Sequence, residues 1–422
     1  MFEQKFYGSL HAVYRLEKLH NLLQHGGSVN SINFHPDGRL LASGSDDLNV
    51  IVWDWAKRTA LQTIETGHIY NILDCKFLYL NAQSQINIAT CGRDGQVRLL
   101  SVPPSGTSPP AHTRLLAEHV RAARKLHVCP AEPHLVLSAG EDGLVLCSDV
   151  RADQAVKMIH VKTSKHGSDI ALYSVAGHPT RSQEVLLAGR DRTVRVYDTR
   201  RAAAPLAIYC PAHFGDKMAE KSPQIWFTTH LTCAEYNYDG SEILASYNDE
   251  DIYLFNTKND VLNENTSDEK EVYTHRYSGH RSTATYKANY GATFFGPKSE
   301  YIVSGSNCSY IYMWEKKSEA IVQWMIGEDK GAVNCIETHP RFPVMATSGV
   351  GKDVKIWIPK GKADPTYDGI EKVVCSNREL NPLFNDFLPT FYNQYRGSSR
   401  VFADELPAYG NIEIDDYVIS PL

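Results

Sequence analysis

The sequence predicts an all-β fold, a propeller of seven blades, and three observations carry that prediction. A small-residue turn followed by an apolar alternation recurs seven times, as GSDDLNVIVWD, CGRDGQVRLLS, AGEDGLVLCSD, AGRDRTVRVYD, SYNDEDIYLFN, GSNCSYIYMWE and SGVGKDVKIWI. The residue nine places after the start of each segment is Trp53, Leu100, Ser148, Tyr197, Phe255, Trp314 or Trp357, and successive differences are 47, 48, 49, 58, 59 and 43. That spacing is a unit of about 40 to 45 residues plus loop insertions. A chain of 422 residues also exceeds one compact core, so it requires several cores or an architecture that grows by repetition.

Within each unit the period-two alternation, as in Val50-Ile51-Val52-Trp53 or Val194-Arg195-Val196-Tyr197, marks a short strand behind a tight reversal. Each unit therefore reads as a four-stranded antiparallel blade of the WD-repeat type. One blade cannot bury both of its faces, whereas seven arranged radially bury all of them. The ring must also close. The stretch LEKLHNLL, Leu16 to Leu23, is the expected outer strand of blade seven, because that blade otherwise ends at Pro359, which cannot continue a ladder. The organisation is thus an N-terminal arm with the ring-closing strand (1–24), the propeller (25–359) and a C-terminal tail (360–422) without sustained periodicity. Insertions at 103–112, 200–227 and 258–271 mark loops, the second of mixed composition expected to be ordered.

The fourth residue of the turn is acidic in five units, at Asp47, Asp94, Asp142, Asp191 and Asp249. An Asp there can accept from turn N–H groups and from a histidine entering upstream; His25, His68, His119, His166 and His230 lie 19 to 26 residues before. Recurrence once per blade makes these pairs polar braces rather than catalytic dyads, joined by the buried aromatics Trp53, Trp314 and Trp357. Blades six and seven carry Cys308 and Gly351 at the acidic position, so their turns should be the least braced.

Composition excludes several classes. A formal charge of -6 and a pI near 6.3 give no general field for nucleic acid, and the mean hydropathy of -0.34 is ordinary for a soluble chain. Nine cysteines, odd in number and never in CxxC pairs, indicate neither a zinc nor a thiol-redox site and fit a reducing compartment. No basic n-region precedes an apolar run, and none approaches the roughly 18 residues of a membrane span, so neither secretion nor membrane insertion is expected. Gly92-Arg93-Asp94-Gly95 and Gly189-Arg190-Asp191 are turns, not phosphate loops, since no helix follows. No GxSxG or HExxH occurs. The expectation is a non-enzyme without cofactor or metal.

Two surface constellations remain. Arg93, Arg190, Arg192, Arg281 and Lys330 fall in or beside turns at one end of the strands. They form either a rim for an acidic peptide or phosphopeptide, or a solvated mixture with Asp46, Glu141 and Asp329. At the opposite end, Asp149-Val150-Arg151 and Asp198-Thr199-Arg200 place an Arg two residues past an Asp in neighbouring blades, where planar forks can engage a partner's carboxylates or carbonyls.

The stretches LASGSDDLNVIVWDW (41–55), CGRDGQVR (91–98), SAGEDG (138–143), LASYNDEDIYLFN (244–256), FFGPKSEYIVSGS (294–306) and DVKIWIP (353–359) closely resemble the WD-repeat family of DDB- and cullin-4-associated factor eight. The resemblance runs from about Leu22 to Pro359. It implies a non-enzymatic substrate receptor of cullin-4 RING ubiquitin ligases that docks on the damage-specific DNA-binding adaptor; a general scaffold or reader of peptides or chromatin proteins is the alternative. The family's adaptor box is Trp-Asp-x-Arg; here Asp149, Arg151, Asp198 and Arg200 match, while Ser148 and Tyr197 replace the Trp. Such receptors also dock through residues before the first blade, and Phe6, Tyr7, Leu10, Val13, Leu16 and Leu19 have roughly helical spacing, so residues 6–19 read as an adaptor helix or a packing arm. The substrate is not legible, no direct nucleic-acid or membrane contact is expected, and residence in nucleus and cytoplasm is equally open.

Overall fold

The computed structural model describes residues 2–78, 80, 86–102, 112–163, 167–214, 229–260, 272–282 and 291–379. Most of the three insertions, His166 and the chain from residue 380 onward lie outside the described residues. Among the described residues the strands form seven four-stranded antiparallel sheets, one per repeat. Blade one is typical. Val29–Phe34, Leu40–Ser45, Asn49–Asp54 and Thr59–Glu65 succeed one another from the inner edge outward.

Six blades take their four strands in chain order; the seventh does not. Its inner three are Val333–Thr338, Met345–Gly349 and Asp353–Pro359, and its outer strand is Leu16–Leu23, running from Leu16 opposite Pro359 to Leu23 opposite Asp353. Ends of the chain far apart in sequence thereby share one sheet, which closes the ring and leaves no long unpaired edge.

Among the described residues the core is not one cluster but seven, each shared by two neighbouring blades. Ile51 and Trp53 of blade one pack with Val354 and Ile356 of blade seven, and Val303 and Met313 of blade six pack with Met345 and Trp357. The remaining five clusters join the other neighbours in turn. A blade lifted out of the ring would expose both faces, and each large apolar side chain returned to water costs about 1.5–3 kcal/mol.

Polar contacts also pass from blade to blade along the inner strands. The Ser31 hydroxyl donates to Asp74 at 2.8 Å, Lys125 approaches the same carboxylate at 3.5 Å, and Asn33 donates to Glu337 at 2.8 Å. Burial pushes the carboxyl of Glu235, in the inner strand of blade five, up to about 7. In six blades the inner strand carries a bulge one residue in from its start, leaving Asn30, Leu73, Arg124, Tyr173, Thr232 and Asn334 out of register. A bulge adds twist and re-aims a side chain, here at the end of the strand from which the functional loops spring.

Two segments differ from the sequence expectation. The helical spacing at 6–19 yields two short helices, Phe2–Tyr7 and Leu10–Tyr14, interrupted at Gly8-Ser9, where the Ser9 hydroxyl accepts from Ala12 N–H. Leu16 and Leu19 belong to the ring-closing strand instead, because its ladder outweighs one further helical turn. After Pro359 the tail is not wholly irregular. A helix over Ile370–Glu379 packs on blade six, with Val374 against Ile321 and the Tyr367 hydroxyl donating to Val322 O at 2.8 Å.

Candidate functional site

The two ends of the propeller differ in chemistry, and that of the loop end follows from the braces. In blade one Trp53 Nε1–H donates to Ser43 Oγ (2.8 Å), the Ser43 hydroxyl donates to His25 Nε2 (2.7 Å), and His25 Nδ1–H donates to Asp47 (2.9 Å). Asp47 also accepts from the N–H groups of Gly26 and Asn49. Burial alone would raise its pKa, but these hydrogen bonds hold the carboxyl below its usual range, while burial keeps His25 below its own. Blade two repeats the pattern with His68, Asp94 and Thr90, and blade three with His119, Asp142 and Ser138. Each Asp takes the N–H of the residue after the histidine, Ile69 or Val120, and thereby fixes that residue at the rim of the loop.

The other blades brace differently. Asp191 pairs with Arg195 at 2.5 Å. Asp249 accepts from Asn248 Nδ2, and His230 lies against the Tyr173 ring. Blade five adds a buried cluster in which Arg276 donates to Asp251 (2.7 Å) and Glu250 (3.2 Å), with the Tyr253 hydroxyl on Glu250.

Blades six and seven are not the weakly braced turns expected from Cys308 and Gly351. In blade seven Glu328 stands where other blades have histidine, and Lys355 Nζ donates to it at 2.8 Å and to Asp353 at 3.0 Å, both Lys355 and Glu328 side chains being buried. Trp357 Nε1–H still donates to Thr347. In blade six Trp314 donates to Ser278 O, and the carboxamide of Asn377, from the Ile370–Glu379 helix, donates to Gly279 O (2.9 Å) and reaches Tyr312 Oη (3.2 Å) and Cys308 Sγ (3.5 Å). His280 is buried with both ring nitrogens unpaired among the described residues, and burial lowers its pKa to about 4.

Of the rim candidates, all five lie in loops of this end, but they are not equivalent. Arg93, Arg190 and Lys330 are exposed; Arg192 and Arg281 are partly buried and engaged with other groups. Asp46 and Glu141 are taken up internally, the first by Asn30 and Asn71, the second by Arg124. Asp329 remains exposed beside Lys330.

At the opposite end the two Asp-x-Arg triplets adopt one geometry. Arg151 donates from N and Nε to Asp149 Oδ1, both at 2.9 Å, and from Nη2 to Oδ2 at 2.7 Å; Arg200 does the same to Asp198 at 2.9, 2.9 and 2.6 Å. The intervening residues dock alike, Val150 N–H on His134 O and Thr199 N–H on Gln183 O. Hydrogen bonds from the Arg side chains hold both aspartates at a pKa of about 2. The Arg side chains are nonetheless 67% and 70% exposed. An ion pair so solvated adds little stability, so its consequence is orientation: each guanidinium is held by one edge and offers the other outward. Arg114 of blade two supports the first fork, since its guanidinium donates to Val150 O and Ala152 O and pairs with Asp153 at 3.3 Å. Sequence reading missed Arg114 because it lies in the outer strand of the neighbouring blade.

The N-terminal helices reach the same end of the molecule. The Tyr7 hydroxyl donates to His339 O and that of Tyr301 to Gly8 O, and beside them a cleft of about 510 Å³ is lined by Tyr238, Glu300 and Lys316 among others. Neither this cleft nor the smaller one around Arg181, Glu184 and Tyr236 pairs a nucleophile with a base. Among the described residues no group of three or more His, Cys, Asp or Glu is placed to hold a metal ion, and no helix is long and apolar enough to cross a membrane.

Comparison with known proteins adds the following. Residues 16–54 match the WD domain, G-beta repeat family, a span that holds the ring-closing strand and the first three strands of blade one. The chain is 30% identical over 294 residues to Protein ALTERED SEED GERMINATION 2 of Arabidopsis thaliana, covering 61% of this chain and 37% of that protein. It is 28% identical over 286 residues to DDB1- and CUL4-associated factor 6 of Homo sapiens (62% and 30%), and 24% identical over 280 residues to WD and tetratricopeptide repeats protein 1 of Mus musculus (60% and 40%). The chain thus spans well under half the length of these relatives. The seven sheets form a seven-bladed β-propeller, and the stretch that closes the ring and opens blade one, residues 16–54, is similar to the WD domain, G-beta repeat.

Proposed function

We propose that the chain is a substrate-receptor subunit of a cullin-4 RING ubiquitin ligase, docking on the adaptor DDB1 and recruiting proteins for ubiquitination without performing chemistry itself. The observation that carries this reading is the pair of Asp-x-Arg forks, each holding its Asp by the Arg N–H, Nε and Nη2, exposed on neighbouring blades. The relative named for association with DDB1 and CUL4 supports it, as does the arrival of the N-terminal helices at the same end of the propeller. Planar forks suit a partner surface rich in carboxylates and carbonyls, and two of them fix its orientation as one could not.

The direct test is co-purification of the tagged full chain with DDB1 from cells, comparing wild type with Arg151→Ala/Arg200→Ala after both are shown to be folded. Retention by wild type and loss by the double variant is expected. Equal recovery with both proteins, or none with either, removes the reading.

A second reading, a scaffold or peptide reader that uses the loop end, is favoured by the exposure of Arg93 and Arg190. It predicts that Arg93→Glu/Arg190→Glu abolishes partner capture while the forks are dispensable.

A further inference from the structure

The loop end of blades two to four carries an amphipathic sector that the adaptor reading leaves unused. Ile69 is 69% exposed, Tyr70 57% and Val120 90%. Ile69 and Val120 are held outward because their own N–H groups are bonded to the brace aspartates Asp94 and Asp142. Between and beside them stand the exposed guanidinium groups of Arg93, Arg121 and Arg190. The sector is continuous: Arg93 N–H bonds Asn71 O, beside Tyr70, and Glu141 N–H bonds Ala122 O, beside Arg121. Arg124, paired with Glu141, lies over the Tyr173 ring, whose hydroxyl feels the charge of Arg190.

Its three arginines are not paired in place. Asp94 and Asp142 are saturated by a histidine and two N–H groups each, Glu141 is paired with Arg124, and Asp46 accepts from Asn30 and Asn71. Among the described residues no carboxylate pairs with Arg93, Arg121 or Arg190. Three exposed apolar side chains set among unpaired arginines fit a peptide that alternates acidic and apolar residues.

This chain contains such a peptide. Residues 401–416, VFADELPAYGNIEIDD, carry five acidic residues and no lysine or arginine, interleaved with Val401, Phe402, Leu406, Tyr409, Ile412 and Ile414. The described chain ends at the loop end of the ring, since Asn377 of the last helix bonds Gly279 O and Cys308 there. Residues 380–400 can extend to about 70 Å, at ~3.3 Å per residue. A propeller of this size is about 50 Å across. Tethering over that length gives an effective concentration on the order of millimolar, so even weak contacts would be occupied.

We propose that segment 401–416 docks on the Ile69/Tyr70/Val120 sector through Arg93, Arg121 and Arg190, in competition with other acidic peptides for that surface. The proposal is independent of DDB1 binding, which concerns the opposite end.

The test uses full-length protein and a fluorescein-labelled peptide of sequence 401–416, with binding followed by anisotropy. Three proteins are compared at equal thermal stability: wild type; a tail-neutral variant (Asp404→Asn, Glu405→Gln, Glu413→Gln, Asp415→Asn, Asp416→Asn); and the same variant with Arg93→Glu, Arg121→Glu and Arg190→Glu. The tail-neutral protein should bind the peptide at least tenfold more tightly than wild type, and the added arginine changes should abolish that binding. Equal affinity in wild type and tail-neutral protein, persistence of binding in the arginine variant, or no binding to any of the three overturns the proposal.

Discussion

At the scale of single residues, an aspartate organises each end of the propeller, held by a histidine in the braces of blades one to three and by an arginine in the forks. Ser43 is the node of the blade-one brace, taking Trp53 Nε1–H and giving its own proton to His25. Ser43→Ala leaves two buried groups unpaired and should cost about 2–4 kcal/mol in denaturant unfolding; a loss below about 0.5 kcal/mol would mean the node is not a stabilising contact. His280 offers a pH-dependent counterpart. Burial holds its folded pKa near 4, against ~6.5 when unfolded, so the folded state binds fewer protons between those values. Its contribution is complete above about pH 6.5 and is lost as pH falls toward 4. His280→Phe should therefore gain stability relative to wild type by up to ~3 kcal/mol as pH falls from 7 to 4; parallel melting profiles for the two proteins would contradict this. Arg114 is a positioning residue: Arg114→Ala should weaken DDB1 binding several-fold with an unchanged melting temperature, and Arg114→Lys should recover only part of it. Binding by Arg114→Ala equal to wild type would leave Arg114 no role in holding the fork.

At the scale of elements, legibility follows sequence distance. The strand after each turn was readable because alternation and turn lie within a dozen residues, and the His–Asp pairs of blades one to three because they lie within one repeat. What could not be read is supplied from elsewhere in the chain. Asn377 reaches blade six from 69 residues beyond Cys308. The Lys355–Glu328 pair lies within one repeat and escaped notice for a different reason, a change of residue types that preserves the brace. The N-terminal apolar spacing was compatible with one helix, but a pairing partner more than three hundred residues away takes Leu16 and Leu19 into a strand. The Ile370–Glu379 helix is thus expected to hold the hairpin of blade six: Asn377→Ala should raise amide exchange around residues 306–309 selectively. Unchanged exchange there would show the contact to be incidental.

For the whole molecule, seven inter-blade clusters make closure the condition of stability. Leu22, 1% exposed in the cluster shared by blades seven and one, belongs to the strand that shuts the ring. Leu22→Ala should cost about 2–5 kcal/mol, and the cost should appear as loss of the whole ring in one transition. Closure also fixes the angular separation of blades three and four, so Arg151 and Arg200 form one rigid two-point surface although neither triplet is distinctive in sequence, lacking the Trp. The most direct measurement is the dissociation constant of purified full-length chain for purified DDB1, for wild type, Arg151→Glu/Arg200→Glu and Arg93→Glu/Arg190→Glu. The account predicts a loss of at least a hundredfold for the first pair, about 2.7 kcal/mol, and less than threefold for the second. Loss with the second pair and retention with the first would contradict it and place the partner on the loop end instead.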